Sequence, residues 1–290
     1  MKLIVGIEDF YERYIGGWTQ LGNEHFSVFA GPRSGPLVKI TAPPWSYFAD
    51  PFPCLHQGEP WLFVEEFRYS QSQGRLVARR LEGGPLLPLT LSSPGHASFP
   101  LLFRIDGELH LLPETGGAGT LDLYACDRFP DRWRLRRRLM SGVDLADTVP
   151  LWHDGRWWLI SSFRALPSDR GHRRLAIFHT SDLASGTLEP HPMNLEGRFF
   201  DSPFSFGRNA GPILQSPQGT LYRPFQASQR YYGESMSWSR IDELSPEAFS
   251  ETVLTQAPDE VGVLPRRPMH HVATDGDWLA CDTRDRFPGT

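Results

Sequence analysis

The sequence predicts an all-β protein, a five-bladed β-propeller whose last blade is closed by N-terminal strands. Three observations point there. Five segments repeat one unit: a strand-like run, an X-Gly turn and a second strand-like run. The turn glycines are Gly58, Gly107, Gly155, Gly219 and Gly276, and their spacings of 49, 48, 64 and 57 residues suit four-stranded blades. The composition agrees, because 27 Gly and 26 Pro among 290 residues punctuate many short strands, and 12% aromatics favour strands.

In the first unit Gln57-Gly58 leads into Glu59-Pro-Trp-Leu-Phe63, and Arg75-Leu-Val-Ala-Arg79 supplies a third strand. The second unit turns at Asp106-Gly107 into Glu108-Leu-His-Leu-Leu112, with Leu121 to Ala125 third and an outer strand at Trp133 to Leu139. The third turns at Asp154-Gly155 into Arg156-Trp-Trp-Leu-Ile160, with Leu175 to His179 third. Asp-Gly between apolar runs is a strong hairpin signal, since both central residues tolerate positive φ. The fourth turns at Gln218-Gly219 into Thr220 to Pro224, with Ser235 to Ser239 third and Phe249 to Leu254 outermost. Between these last two, Ser245-Pro-Glu-Ala-Phe249 predicts a single helical turn, Ser245 as N-cap and Pro246 at the first helical position. The fifth unit turns at Asp275-Gly276 and stops near Asp282 after two strands. His25 to Phe29 and Leu37 to Ile40 are strand-like and unassigned, so they complete it. Closure shields sheet edges that would otherwise template aggregation. The competing arrangement is a β-sandwich with coincidental hairpins. One domain over 1–290 is expected.

The net charge of −5 argues against nucleic acid as a partner, because phosphates need a basic footprint. The one basic run, Arg132 to Arg138, partly alternates with apolar residues and reads as a solvated strand face. Cys54, Cys126 and Cys281 are odd in number and form no CxxC pair, so neither a disulfide framework nor a zinc knuckle is expected. No apolar run approaches the roughly 18 residues of a membrane span. The stretch Leu3 to Ile7 is too short for a signal-peptide core, and a cytoplasmic protein is expected. No G-x-S-x-G elbow, Walker loop or H-E-x-x-H occurs, and Gly116-Gly-Ala-Gly119 reads as a hairpin tip. No cofactor is expected and no metal site is assigned, a central cation held by His271 or Asp282 with waters being the open alternative.

In a propeller the innermost strands line a channel, so equivalent positions of different blades converge. Eight residues before the turn glycines stand Asp50, Phe99, Asp147, Gly211 and Pro268. Seven residues after them stand Glu65, Glu114, Ser162, Gln226 and Thr283. Acids from three blades are therefore expected at one funnel: Asp50, Glu65 or Glu66, Glu114 and Asp147. His96, Arg208, Arg223, His270, His271 and Asp282 are expected nearby. Like charges packed together raise one another's pKa and add nothing to stability, which marks a site. Each residue also has a plainer reading. Asp50 before Pro51 and Asp147 before Thr148 could close Asx-type turns. Glu114 could be solvated at a strand end, and His270-His271 could hydrogen-bond between blades.

An ordered series of short motifs carries a resemblance. It runs through Phe48-Ala-Asp-Pro-Phe52, Trp61-Leu-Phe-Val-Glu-Glu66, Phe99-Pro100, Leu112-Pro-Glu-Thr115, Ala146-Asp-Thr148 and Gly155-Arg-Trp-Trp158. It continues through Pro190-His-Pro192, Ala210-Gly-Pro212 and Tyr222-Arg-Pro-Phe-Gln226. From about residue 45 to 283 the chain resembles the β-propeller domain at the N-terminus of glucosamine inositolphosphorylceramide transferases. More distantly it is similar to the five-bladed propellers of arabinanases, levansucrases and invertases. In the plant transferases, transfer is ascribed to a separate C-terminal domain. In the arabinanase-like enzymes three acids work at the funnel, opening blades one, three and four. The resemblance implies that Asp50 and Asp147 match the first two. At the blade-four opening Arg208 and Asn209 stand where a Glu would be expected, and Glu114 is the nearest substitute.

Together these readings make the expected function carbohydrate chemistry on a glycosidic bond, with Asp50 as base or nucleophile, Glu114 as general acid and Asp147 as the group tuning the acid. Glu66, His96, Arg208, Arg223, Gln226, His270 and Asp282 are the substrate-binding candidates. The arginines would take an anionic sugar, a sugar phosphate or a nucleotide sugar, and Trp45, Trp152 and Tyr222 would stack a ring. A non-catalytic glycan-binding or scaffold module, and a glycosyltransferase using an activated donor, are the alternatives. A partner enzyme of glycan biosynthesis is an expected associate.

Overall fold

The structure, a computed structural model, describes residues 25–92, 95–115, 118–164, 173–196, 205–228, 232–259 and 268–285. The expectations on Met1 to Ile7 and on Gly116-Gly117 lie outside them.

Five small antiparallel sheets make five blades. The chain enters with β1 (Phe26–Pro32) and β2 (Val38–Ile40). Blade one is β3 (Ser46–His56), β4 (Glu59–Arg68), β5 (Gln73–Arg80) and β6 (Leu87–Pro88). Blade two is β7 (Ser98–Ile105), β8 (Glu108–Glu114), β9 (Thr120–Arg128) and β10 (Arg132–Ser141). Blade three is β11 (Leu145–His153), β12 (Arg156–Phe163), β13 (Arg174–Thr180) and β14 (Glu189–Pro190). Blade four is β15 (Ser205–Asn209), β16 (Leu214–Gln215), β17 (Leu221–Ala227), β18 (Met236–Leu244) and β19 (Phe249–Val253). Blade five begins with β20 (His271–Asp275) and β21 (Trp278–Arg284), then takes β1 and β2 from the other end of the chain. β1 pairs with β21 from Phe26↔Arg284 to Pro32↔Trp278, so the ring is sealed as the sequence predicts.

Strand alternation builds the core. On β4, Trp61 and Phe63 pack toward blade two, where Leu101, Leu111 and Tyr124 meet them. Leu62 and Val64 point the other way, onto Val28 and Ala280 of blade five. Leu112, Leu121 and Leu123 meet Leu145, Leu159 and Leu183 between blades two and three. Trp158 and Ile160 meet Leu221 and Ile241 between three and four, and Trp238 meets Val272 and Leu279 between four and five. Each fully buried side chain of this kind contributes about 1.5–3 kcal/mol.

The hairpins follow their turn chemistry. Gln57-Gly58, Asp106-Gly107 and Asp154-Gly155 all have positive φ at both residues. The expected helical turn at Ser245 is absent. Ser245 accepts the Ala248 N–H through its hydroxyl and donates its own N–H to the Ala248 carbonyl, closing the β18–β19 hairpin. The tight return leaves no room for a helix, and a single helical turn stands instead at Met193–Glu196. No helix among the described residues is long and apolar enough to cross a membrane.

Candidate active site

The innermost strands of the first three blades share one irregularity. Register breaks between Ala49 and Phe52, Ser98 and Leu101, and Ala146 and Val149. Each break is a two-residue bulge whose first residue is left-handed: Asp50 at φ 48°, Phe99 at 48° and Asp147 at 50°. Blade four carries Gly211 at the same phase with φ 138°, where a Cβ would collide with the Val272 carbonyl. A left-handed non-glycine residue costs on the order of 1–3 kcal/mol, least for Asp. The bulges re-aim the side chains that regular strands would send elsewhere. The Asp147 carboxylate is held by Arg208.

Asp147 is almost wholly buried. Arg208 grips it with two charge-assisted bonds, Nε to Oδ2 at 2.6 Å and Nη2 to Oδ1 at 3.0 Å. Burial pushes its carboxyl up, but the Arg208 charge and hydrogen bonds outweigh that and hold it below the usual range. Burial opposes the charge on Arg208 too, and Asp147 overcompensates. Asp147 donates its backbone N–H to Glu114 Oε2 at 3.2 Å, and Arg208 Nη2 lies 3.7 Å from that oxygen. Burial, then the Asp147 charge, raises Glu114 to about 7.

The second half of the site lies at the seam between blades five and one. Asp50 donates its N–H to Asp282 Oδ2 at 2.9 Å. His270 Nδ1 lies 3.3 Å from Asp282 Oδ1 and 3.8 Å from Asp50 Oδ1. The polar atoms of Asp50, His270 and Asp282 thus gather within 4.8 Å of one another, a spacing at which the three could also share a cation. Burial raises Asp50 to about 7, with His270 opposing and Asp282 and Asp147 adding. Burial disfavours charge on His270, but Asp282 and Asp50 raise it. His271 is packed edge-on against Phe52 and Phe99, and burial lowers it to about 4.

Glu65 joins both halves. Burial, then Asp50 and Glu114, pushes its carboxyl well above the ordinary range. It leans on bare Gly74, where any Cβ would collide with Oε1. His96 stands at the margin, its Nδ1 accepting the Gly74 N–H at 2.9 Å and lying 4.0 Å from Glu65.

Of the sequence candidates, Asp50, Glu114, Asp147, Arg208, His270 and Asp282 come together, with His96 beside them. Glu66 does not. Adjacent strand residues face opposite ways, and Glu66 pairs with Arg75 at 2.6 Å and Arg68 at 3.6 Å. Arg223 is not a ligand-facing arginine either. It is fully buried and forked onto Glu251 at 2.6 and 2.8 Å. It also donates to Asn209 Oδ1 at 3.3 Å, and Asn209 Nδ2 holds the Asp147 carbonyl at 2.8 Å. Arg223 therefore braces the Asp147 bulge from behind. Gln226 is buried at the blade-four position matching Glu65 and Glu114, its amide oxygen without a hydrogen-bond partner among the described residues. Trp152, half exposed, and Tyr222 lie near the turn ends of their blades, away from the acids. Sequence reasoning missed Asn209 as a brace and Tyr232 altogether. Tyr232 stacks on Arg208 at 4.9 Å and meets His270 Nε2 at 3.0 Å.

Fold and site define a five-bladed propeller with a buried cluster of acids contributed by several blades. Two solved structures share that fold: the catalytic domain of an α-L-arabinofuranosidase from Coprinopsis cinerea, and an exo-β-1,3-galactanase from Clostridium thermocellum. The first is 14% identical, with 91% of this chain and 98% of that chain covered and a TM-score of 0.58. The second is 14% identical, with 72% and 50% covered and a TM-score of 0.51.

Residues 35–261 match the family described as glucosamine inositolphosphorylceramide transferase 1, N-terminal, and the chain belongs to that family. It is similar to glucosamine inositolphosphorylceramide transferase 1 of Arabidopsis thaliana, 30% identical over 212 residues, covering 72% of this chain and 27% of that protein. The Oryza sativa subsp. japonica protein of the same name is 27% identical over 284 residues, covering 92% and 38%. The chain thus spans little more than a third of these relatives at most.

Proposed function

We propose that the protein is carbohydrate-active and handles a glycosidic bond at the channel acids. One observation carries this: Asp50 and Glu114, raised to about 7 by burial and by neighbouring acids, share a buried cluster with an Asp147 that Arg208 holds below the usual carboxylate range. Two groups that exchange protons near neutrality beside a fixed carboxylate are what acid–base chemistry on a glycoside requires. Asp50 takes the proton of the attacking hydroxyl or water. Glu114 protonates the departing oxygen. Asp147 and Arg208 fix the charge that tunes Glu114. The fold shared with the arabinofuranosidase and galactanase, and the transferase family membership, support a sugar ligand.

The charge pattern refines the ligand class. Arg208 and Arg223 are each already forked onto a carboxylate, so the anionic sugar or nucleotide sugar expected of them has no free fork to bind. Acids surround the site, and they suit hydroxyls or an amino group; the glucosamine in the relatives' name favours an amino sugar. Transfer is preferred to hydrolysis on the same family grounds. The second reading is a glycan-binding module, favoured by Arg208 standing where the resemblance places an acid.

Incubation with aryl glycosides of amino sugars, with and without an acceptor alcohol, tests the proposal. Asp50→Asn and Glu114→Gln are each expected to abolish turnover while the protein stays folded. Full activity in either removes that residue from the chemistry. Calorimetric binding of the same sugars with no product in wild type supports the module.

A further inference from the structure

The channel acids fall into two groups, each with its own cation. Arg208 serves Asp147 and Glu114, while His270 serves Asp50 and Asp282. Tyr232 touches both cations. Its ring lies under the Arg208 guanidinium at 4.9 Å from the centroid. Its hydroxyl meets His270 Nε2 at 3.0 Å, with the two rings 5.0 Å apart. The residue is anchored from blade five, because Arg284 donates to its carbonyl and Phe26 packs edge-on against its ring. Gly233 beside it has φ 74° and lies so close to Phe26 that a Cβ would press on that ring.

We propose that Tyr232 is the positioning residue of the site, holding Arg208 and His270 each on its own pair of acids. This rests on the reading of Asp50 and Glu114 as the proton-handling pair. The hydrogen-bond network assigns the roles. With two carboxylates facing Nδ1, the ring of His270 is charged and donates Nδ1–H toward Asp282 and Nε2–H to the Tyr232 oxygen. The negative face of the ring attracts the guanidinium packed on it, which keeps Arg208 from swinging off Asp147. The groups facing this unit are Asp50, Asp282 and His271 on the seam, and Asp147, Glu114 and Glu65 across the channel. A phenol is the one side chain type that offers a face to a guanidinium and an oxygen to an imidazole at once.

Two variants separate the two functions. Tyr232→Phe keeps the face and removes the oxygen, so His270 loses an acceptor, its charge weakens, and Asp50 titrates higher by about one unit. Glu114 should not move. Tyr232→Leu removes both, and Asp50 and Glu114 should both titrate higher. The readout is carboxyl-carbon NMR of Asp50 and Glu114 against pH in the whole chain, with the melting temperature as a control for folding. In wild type the His270 Nε2–H resonance should be protected and should vanish in Tyr232→Phe. An unmoved Asp50 in Tyr232→Phe, or identical titrations in the two variants, overturns the proposal, as does an unprotected Nε2–H in wild type. None of these readouts needs a substrate, so a protein that turns over no sugar sinks the catalytic reading and leaves this one standing or falling by itself.

Discussion

Asp50→Asn should stabilise the protein, and by an amount that depends on pH. In the native state burial and two neighbouring acids move the Asp50 carboxyl from 3.8 to about 7. The unfolded chain ionises it in water at the lower value. A carboxyl raised on folding contributes stability that is complete below its unfolded pKa and is lost as pH rises through its folded one. The loss spans about three units, or on the order of 4 kcal/mol at full ionisation. Asparagine carries no charge, adopts the left-handed backbone of φ 48° as readily as aspartate, and keeps the N–H that Asp282 accepts. The variant should therefore exceed wild type by up to about 4 kcal/mol at pH 8 and by almost nothing at pH 4. Urea unfolding of both proteins at pH 4, 6 and 8, compared through the midpoint and the slope, measures it. No gain at pH 8, or a gain of equal size at all three values, refutes the idea that the site holds Asp50 at a cost in stability.

Glu114→Gln should show the same pH-dependent gain through the same window, because Glu114 is also raised to about 7. Arg208→Met leaves Asp147 buried without its partner and should cost about 3–5 kcal/mol at pH 7 in chemical unfolding. Gly211→Ala places a Cβ on the Val272 carbonyl at a φ of 138° and should cost about 3 kcal/mol or more, visible as a lowered melting temperature. His271 works in the opposite sense to Asp50: lowered to about 4, it contributes stability present above its unfolded pKa of 6.5 and lost as pH falls toward 4. His271→Phe should flatten that acid limb in a melting series between pH 4 and 7.

The blade pattern was legible because hairpin chemistry is local. Asp106-Gly107 and Asp154-Gly155 announce their positive φ in two letters, and counting from the glycines finds Asp50, Glu114 and Asp147 together. The same count contained Glu65, which shares its phase with Glu114. Choosing Glu66 beside it ignored that neighbours on a strand face opposite ways. The partners of a buried charge are less legible, because they are set by packing across blades. Nothing near Arg223 in sequence announces Glu251, and nothing near Tyr232 announces Arg208 or His270. The Ser245 stretch shows local propensity overruled: a capping hydroxyl suits a hairpin as well as a helix, and strand pairing decided.

The seal between the first and last described strands sets a timetable for synthesis. Ser27 and Asp285, hydrogen-bonded in the finished ring, are 258 residues apart in the chain. At roughly 5–20 residues per second, β1 leaves the ribosome about 13–50 s before β21 exists to receive it. Through that interval Phe26 and Val28, buried in the finished ring, have no blade to enter. Nascent chains should therefore recruit chaperones at this strand, and a circular permutant joining β1 directly behind β21 should shed that dependence.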